Sequence, residues 1–592
     1  MKGEILMVQS IPRPEYPRPN LKRDLWMNLN GEWDFEFDDE NVGEIEKWYK
    51  DKAFSRKIVV PFCFQSKLSG IHTNDFHDYV WYKRSFSIPE EFRNKRVLLN
   101  FGAVDYYAKV WVNGEMVGDH IGGSTPFSFD ITSFLCEGSN TIVVRAEDSS
   151  TECRQPRGKQ SWMKENFGCW YERTTGIWQT VWLEAVSQSY IEKVRLTPDL
   201  DNDELAVEAE IKGSVEGLRL NTRISFKGLE VDLTEKTISR SRVSFVSNVR
   251  SDSMEWKVAR WTPEHPNLYD IEFSLIDDEG NCIDRVESYF GMRKVSCKGN
   301  KFLLNNVPYY QKLILDQGYF PDSLLTPPSE EAIKEDIRYT KEFGYNGARK
   351  HQKVEDPIYL YWCDKMGLLV WGEMASPYEY DETMVKANMT EWMEVVERDY
   401  NHPCIIAWTL MNESWGIPDI LTDYRQQQHT LALYHMVKSL DSTRLVISND
   451  GWEHTMSDIT TIHDYVEDGE VFAERYKDIN EVMNGAPNKH KHIFANGYGY
   501  EGQPVLLSEY GGIAFEKDEG WGYGNKVKDE ESFLERFEKI TRAIARPGYF
   551  VGYCYTQLTD VQQEENGLLT FDRKPKIAPE KIKRINDMVG FK

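Results

Sequence analysis

The sequence predicts a multidomain chain: two all-β sandwich domains, a jelly roll and then an immunoglobulin-like sandwich, precede a C-terminal (β/α)8 TIM barrel. Three observations predict it. Residues from Leu25 to about Ala185 break into short alternating segments separated by Gly, Asn, Asp and Pro. The alternation continues at lower aromatic density to about Val295, where strand-like runs begin to alternate with helical ones. Two apolar runs in this last part, Ile405–Leu410 and Pro504–Leu507, each lead to a glutamate, Glu413 and Glu509. The boundaries drawn on these changes are 1–187, 188–295 and 296–592.

In the first part, Trp33–Phe37, Ile58–Pro61, Tyr79–Ile88, Arg96–Phe101, Lys109–Val112, Thr141–Ala146 and Trp178–Leu183 read as strands. Asn113–Gly114 is a hairpin signal, because a type I′ turn wants that dipeptide. In the second part, Leu205–Ile211, Arg223–Phe226, Arg242–Val246 and Ile271–Ile276 alternate as strands of a small sandwich, without the cysteine or tyrosine hallmarks of antibody domains. In the third part, Tyr309–Leu315 serves as the first barrel strand and Ser329–Phe343 as a Ser-capped helix burying Ile333, Ile337 and Phe343. The next strands are Asn346–His351, Leu368–Glu373, the Ile405 run, Arg444–Ser448, Thr460–Tyr465, the Glu509 run and Tyr549–Leu558. Eight strands in this length is the barrel count.

Composition narrows the function. A formal net charge of −25 opposes nucleic acid or an anionic membrane as partner, since both need basic patches. No run approaches the length of a membrane span, and Met1 to Arg23 holds no apolar signal region. Nine scattered cysteines form neither a disulfide framework nor a metal motif and fit reduced thiols, so a cytoplasmic location is expected. No cofactor and no metal are expected. The 18 Trp, 31 Tyr and 28 Phe leave aromatic faces to spare for a binding surface.

A barrel gathers its working side chains at the C-terminal ends of its strands. Those ends here carry Asp316, Arg349 and His351, Glu373, Asn412 and Glu413, Asn449 and Asp450, His463, Asp464 and Tyr465, Glu509, then Gln557 and Asp560. Trp371, Trp415, Trp452 and Trp521 lie close by in sequence, and flat aromatic faces suit the C–H faces of sugars. Two carboxylates on two strand ends are the minimum equipment for glycoside hydrolysis. In a retaining pair one attacks the anomeric carbon while the other protonates the leaving oxygen. The acid is expected to hold a raised pKa beside its negative neighbour. Arg349 is placed to keep the nucleophile ionised, Tyr465 to orient Glu509, and Asn412 to bind a sugar hydroxyl.

The residues also carry a resemblance, running through nearly the whole chain. Asn30–Gly31–Glu32–Trp33, Val110–Trp111–Val112–Asn113–Gly114 and Thr125–Pro126–Phe127 resemble the N-terminal sugar-binding-like domain of glycoside hydrolase family 2, which holds β-galactosidases, β-glucuronidases and β-mannosidases. Thr175–Gly176–Ile177–Trp178–Gln179–Thr180–Val181–Trp182 is similar to the stretch closing that domain. Asn401–His402–Pro403 with Asn412–Glu413–Ser414 resembles the acid/base signature, and Ser508–Glu509–Tyr510–Gly511 the nucleophile strand. The resemblance implies Glu413 as acid/base, Glu509 as nucleophile, and an exo-acting retaining enzyme whose partner is an oligosaccharide or glycoside. It implies that Asn412, Arg349 and Tyr465 belong to the substrate pocket; Asp316, His351, Trp452, His463, Gln557 and Asp560 are expected there as well. A homo-oligomer is implied too.

One departure bears on the sugar. β-Glucuronidases of the family place a lysine in an Asn-x-Lys element after the eighth strand, where this chain has Glu564–Glu565–Asn566. A carboxylate substrate meets repulsion there, so a neutral sugar is expected, with β-galactoside first. α-L-Arabinofuranoside, β-galactofuranoside and β-mannoside are alternatives on the same scaffold, and β-glucuronide ranks below them. A non-catalytic carbohydrate-binding protein ranks last, because both glutamates and Asn412 are present. Gln317–Asp322 is expected to loop over the barrel mouth, and Phe515 to Asp529, with Gly520, Gly522 and Gly524, to form a lid.

Overall fold

The computed structural model describes residues 11–489 and 491–590. In the first part a six-stranded antiparallel sheet runs in the order Arg56–Val60, Gly31–Phe37, Tyr79–Ser87, Ser139–Glu147, Tyr107–Val112, Glu115–Ile121. It packs on a four-stranded sheet in the order Trp26–Asn28, Val181–Val186, Arg96–Phe101, Phe127–Asp130. Trp33, Phe35, Leu99, Val144 and Leu183 meet in one core between them, as period-two burial requires. The Asn113–Gly114 turn has φ of +51° and +80° with Val112 paired to Glu115, as a type I′ hairpin demands. The last strand lies further along than expected, at Val181–Val186 rather than Trp178–Leu183. Trp178 is instead drawn out of the sheet: its indole donates to Gly123 O, and it packs with Tyr171 and Tyr319.

The second part is a three-stranded sheet (Tyr190–Asp199, Glu204–Lys212, Arg242–Asn248) on a four-stranded one (Leu229–Thr237, Arg219–Phe226, Tyr269–Ile276, Cys282–Phe290). Arg219–Phe226 buries every second residue, and Leu220, Ile224, Phe273 and Val286 share the core. A small antiparallel sheet of Val295–Lys298, Lys301–Leu304 and Val307–Pro308 follows, and Phe302 and Leu304 join the barrel core.

The barrel strands are β1 Gln311–Asp316, β2 Gly347–Lys350, β3 Leu369–Glu373, β4 Ile405–Thr409, β5 Leu445–Ile447, β6 Thr460–His463, β7 Val505–Gly511 and β8 Phe550–Thr556. All pair in parallel, in the order β5-β4-β3-β2-β1-β8-β7-β6. The seam between β5 and β6 is closed by the segment entering β6: Asp458 N donates to Val446 O at 2.8 Å, and Ser448 N to Ser457 Oγ at 2.9 Å. Helices α1 Glu330–Glu342, α2 Pro357–Met366, α3 Glu382–Asp399 and α4 Tyr424–Leu440 cover the first strands. Each starts at an N-cap side chain that accepts a backbone N–H: Ser329, Asp356, Asp381 and Asp423. Two short helices, α5 Gly469–Arg475 and α6 Ile479–Met483, follow β6, and α7 Glu530–Ile544 and α8 Pro579–Asp587 complete the ring. All nine cysteines are free, and among the described residues no helix is long and apolar enough to cross a membrane.

Candidate active site

Strand β4 ends at Thr409, and the chain turns through Asn412–Glu413–Ser414 with Glu413 and Ser414 at φ of +53° and +62°. Non-glycine residues hold that left-handed conformation only where neighbours over-determine it. Here Glu413 N donates to Asp450 O (3.0 Å), Ser414 N to Asn449 Oδ1 (2.9 Å) and Ser414 Oγ to Glu453 Oε2 (2.5 Å). Glu509 is borne by β7 itself. Gly511 and Gly512 then turn the chain away at φ of +87° and +59°, where a Cβ would stand 2.3 Å from the rings of Tyr555 and Tyr523.

The two carboxylates converge. Oxygens of Glu413 and Glu509 and a nitrogen of His463 all lie within 4.8 Å of one another. Arg349, fully buried on β2, ties the floor of the site together. Its guanidinium donates to Glu373 Oε2 at 2.6 Å, Glu509 Oε1 at 2.9 Å and Asn412 Oδ1 at 2.6 Å, and lies 2.8 Å from Asp450 Oδ2. His351 Nδ1 accepts from the same guanidinium at 3.1 Å. Burial, Lys159 and Arg349 push the His351 imidazole well below its usual range, so it is neutral. Tyr465 donates to Glu509 Oε2 at 2.5 Å, and its ring stacks on Tyr523 at 3.4 Å.

His463 is the opposite case. Its Nδ1 meets Glu413 Oε1 and its Nε2 meets Asp450 Oδ2, both at 2.8 Å, with Glu509 Oε2 at 3.5 Å. Burial works against a charged ring, but Glu509 and Asp450 and the bonds to Asp450 and Glu413 outweigh it, pushing the pKa up to about 10. Glu413 responds in the other direction. Burial raises its carboxyl, yet the His463 bond and charge, with Lys159 and Arg349, bring it below the usual range. The raised acid expected from the sequence is thus overturned for the free site, because the His463 imidazolium, 2.8 Å from Glu413 Oε1, together with Lys159 and Arg349 outweighs burial. The Glu413–His463–Glu509 cluster has the spacing of a metal site, but both ring nitrogens are engaged by carboxylates and the ring is cationic, a donor set that does not suit a metal.

Other expected residues divide. Asn412 Nδ2, Trp452 Nε1 and Gln557 Oε1 are buried without a partner among the described residues; Trp452 also lies edge-on to His463. Asp316 turns away from the pair: it accepts from Lys350 Nζ at 2.5 Å in a buried cluster with Glu355. Asp560 is likewise engaged by Lys576 Nζ at 2.6 Å and by Gly567 N, with burial pushing its carboxyl up to about 7. Trp371 is a barrel-core residue, its indole donating to Gln311 Oε1 at 2.8 Å, and offers no face to the mouth. Gln317–Asp322 is pinned between the barrel and the first domain, where Leu68 N bonds Asp322 O and Tyr319 packs on Tyr171. The 515–529 stretch covers the site through Tyr523, while Trp521 donates to Gly168 O.

The stretch 148–175, between Ser139–Glu147 and Gly176–Ile177, leaves the first domain and reaches the barrel mouth. Trp170 meets Trp415 edge-on at 5.4 Å and donates to Tyr378 OH, and Tyr171 OH donates to Glu564 Oε2 at 2.6 Å. Lys159 is buried there. Sequence reasoning missed Lys159, Trp170, Tyr171 and Tyr378, though not Trp415 or Glu564. The available signal was the length of an unpatterned stretch inside a compact domain, which marks functional loops.

The family description "Glycosyl hydrolases family 2, sugar binding domain" matches residues 26–183, "Glycosyl hydrolases family 2" matches 189–293, and the family's "TIM barrel domain" matches 328–591. The chain belongs to glycosyl hydrolase family 2. Among the relatives of this family 2 chain, a "Beta-galactosidase" of Thermoanaerobacter pseudethanolicus is 27% identical over 414 residues, 68% of this chain and 52% of that protein. A "Beta-glucuronidase" of Paenibacillus borealis is 24% identical over 605 residues, 95% of this chain and 97% of that protein. The chain spans about half the length of the β-galactosidase it matches. The structure of an uncultured Clostridium sp. β-glucuronidase superposes with a TM-score of 0.77 at 20% identity, covering 97% of this chain and 100% of that one. That likeness fixes the family 2 architecture.

Proposed function

We propose that the chain is a retaining exo-glycosidase removing a terminal neutral sugar, with Glu509 as nucleophile and Glu413 as acid/base. The observation that carries it is the approach of their carboxylate oxygens to within 4.8 Å. An inverting pair stands about 6.5–9.5 Å apart to admit water, whereas a retaining pair stands about 5–5.5 Å apart. Glu509, held by Arg349 and Tyr465, attacks the anomeric carbon as the bond to the leaving oxygen breaks. Once sugar excludes water and favours the neutral acid, Glu413 takes a proton from His463 Nδ1 along their 2.8 Å bond and passes it to the leaving oxygen, which returns Glu413 to the carboxylate. In the second half, Glu413 takes a proton from water, the hydroxide attacks the anomeric carbon, and Glu509 leaves.

Charge supports a neutral sugar. Glu373, Glu413, Asp450, Glu509 and Glu564 outnumber the cations Arg349, His463 and Lys159 around the mouth. The unpaired Asn412 Nδ2, Trp452 Nε1 and Gln557 Oε1 suit hydroxyl groups, which both donate and accept. The β-galactosidase relatives make a β-galactoside the first substrate to try. A second reading, a terminal uronic acid, is favoured by the Lys159 ammonium and by the β-glucuronidase relatives.

The test is a panel of p-nitrophenyl glycosides with wild type and Glu509→Ala, the latter with added azide. The expected result is cleavage of one neutral glycoside with retention, a silent variant, and rescue by azide giving the inverted glycosyl azide. Full activity in Glu509→Ala refutes the nucleophile, and cleavage of the glucuronide alone refutes the neutral sugar.

A further inference from the structure

Lys159 is held from both sides. Arg157 N and Gly158 N donate to Ser376 O of the barrel at 3.3 and 3.0 Å, and Tyr378 OH donates to Gly158 O at 2.6 Å. Gly158 has φ +59°, and a Cβ there would stand 2.4 Å from Gln352 O, so the first domain meets the barrel backbone to backbone. On the other side Tyr171 N donates to Lys159 O at 2.7 Å, and Gln160 bonds Asp105 and Thr174. This backbone is not a swinging loop.

The side chain so placed is 8% exposed, yet among the described residues no carboxylate lies within ion-pair distance of its ammonium. The Cys169 thiol lies beside it, and Tyr378, Glu564 and Glu413 feel its charge. A buried ammonium without an ion-pair partner is costly unless a ligand supplies acceptors to its three donors. Tyr171, whose N–H holds Lys159 O, also ties in Glu564: Glu564 Oε2 accepts from Tyr171 OH, Oε1 from Asn566 Nδ2 at 3.1 Å, and each oxygen keeps acceptor capacity. Lys159 also lines a cavity with His351, which itself touches Arg349.

We propose that Lys159 is a specificity-determining residue supplied by the first domain, and that with Glu564 it binds a hydroxyl of the terminal sugar remote from the anomeric carbon. A lysine–glutamate pair donates to and accepts from one hydroxyl while adding no net charge. The inference rests on the glycosidase reading above. It deepens that reading by assigning part of the sugar's recognition to a domain other than the one that performs the chemistry.

The test uses the full chain with Lys159→Met, Glu564→Gln and the double variant, on the cleaved glycoside and its 3-, 4- and 6-deoxy analogues. Each single variant is expected to lose about 10- to 100-fold in kcat/KM on the parent, as for a hydrogen bond to a charged group. On the one analogue lacking the bound hydroxyl the loss shrinks to about threefold or less, and on the parent the double variant loses less than the product of the singles. The thermal midpoint of Lys159→Met stays level or rises, because a buried charge without an ion pair is removed. Equal losses on parent and all analogues, with a lowered midpoint, reduce Lys159 to a structural strut and overturn the proposal. So does a loss confined to a uronide. Azide rescue of Glu509→Ala separates the two claims: rescue with a flat deoxy series sinks only the role of Lys159, while failed rescue sinks the retaining reading itself.

Discussion

Replacing His463 by asparagine isolates the proton that the pocket stores. In the native site the imidazolium lies 2.8 Å from both Glu413 and Asp450 and 3.5 Å from Glu509, with its pKa pushed up to about 10. The alkaline limb of kcat/KM therefore reports loss of the proton shared by His463 and Glu413, near pH 10. In His463→Asn the acid is Glu413 alone, with no imidazolium proton to draw on, and the limb falls from about 10 towards the carboxylate range. A substrate with a poor leaving group shows this shift; a 2,4-dinitrophenyl glycoside, whose leaving group needs no proton, does not. Stability carries a second signature. A pKa raised from about 6.5 to about 10 contributes stability in full below pH 6.5 and loses it as pH rises to about 10. Thermal midpoints of wild type should fall across that window by the equivalent of a few kcal/mol, on the order of the shift, and those of His463→Asn should stay flat. An unmoved limb on the poor leaving group refutes the proton relay.

Two further outcomes follow from single contacts. Tyr465→Phe removes the 2.5 Å bond to Glu509 Oε2 and should lower kcat/KM by about 10- to 100-fold with little change in thermal midpoint; an unchanged rate would show that Arg349 alone positions the nucleophile. Glu391, buried on α3 against the first domain, is pushed up to about 8 by burial and by Glu394, so its contribution to stability is greatest below pH 4.5 and is lost by pH 8. Glu391→Gln should therefore be the more stable protein above pH 8 by urea denaturation, and equal curves there would refute a buried charge at that position.

The barrel was legible because its signals are local. Apolar runs locate all eight strands to within two residues, and Ser329 caps α1 as read. The strand-end argument found the row of polar residues, since each is fixed by its own strand. It could not say which of them a neighbour would claim. Asp316 and Asp560 sit at strand ends like Glu509, but Lys350 and Lys576 hold them elsewhere, and those lysines lie 34 and 16 residues away along the chain. Trp371 failed for a related reason: period-two alternation gives the face of a strand, while the layer inside a closed barrel depends on Gln311 of another strand. Lys159 was out of reach altogether. The Glu564 neighbourhood read as purely acidic because the cation beside it comes from residues about 400 positions earlier.

The anchoring of Lys159 between Ser376 and Tyr171 has a consequence for how such an enzyme changes its diet. The attacking group and its proton donor are encoded in one part of the chain, and a portion of the lock that inspects the sugar in another. On the role proposed for Lys159, variation within residues 148–175 alters which hydroxyls are recognised while β4 and β7 keep the same reaction. Cutting the first domain away would leave both glutamates in the barrel part of the chain but remove a wall of the room in which they work.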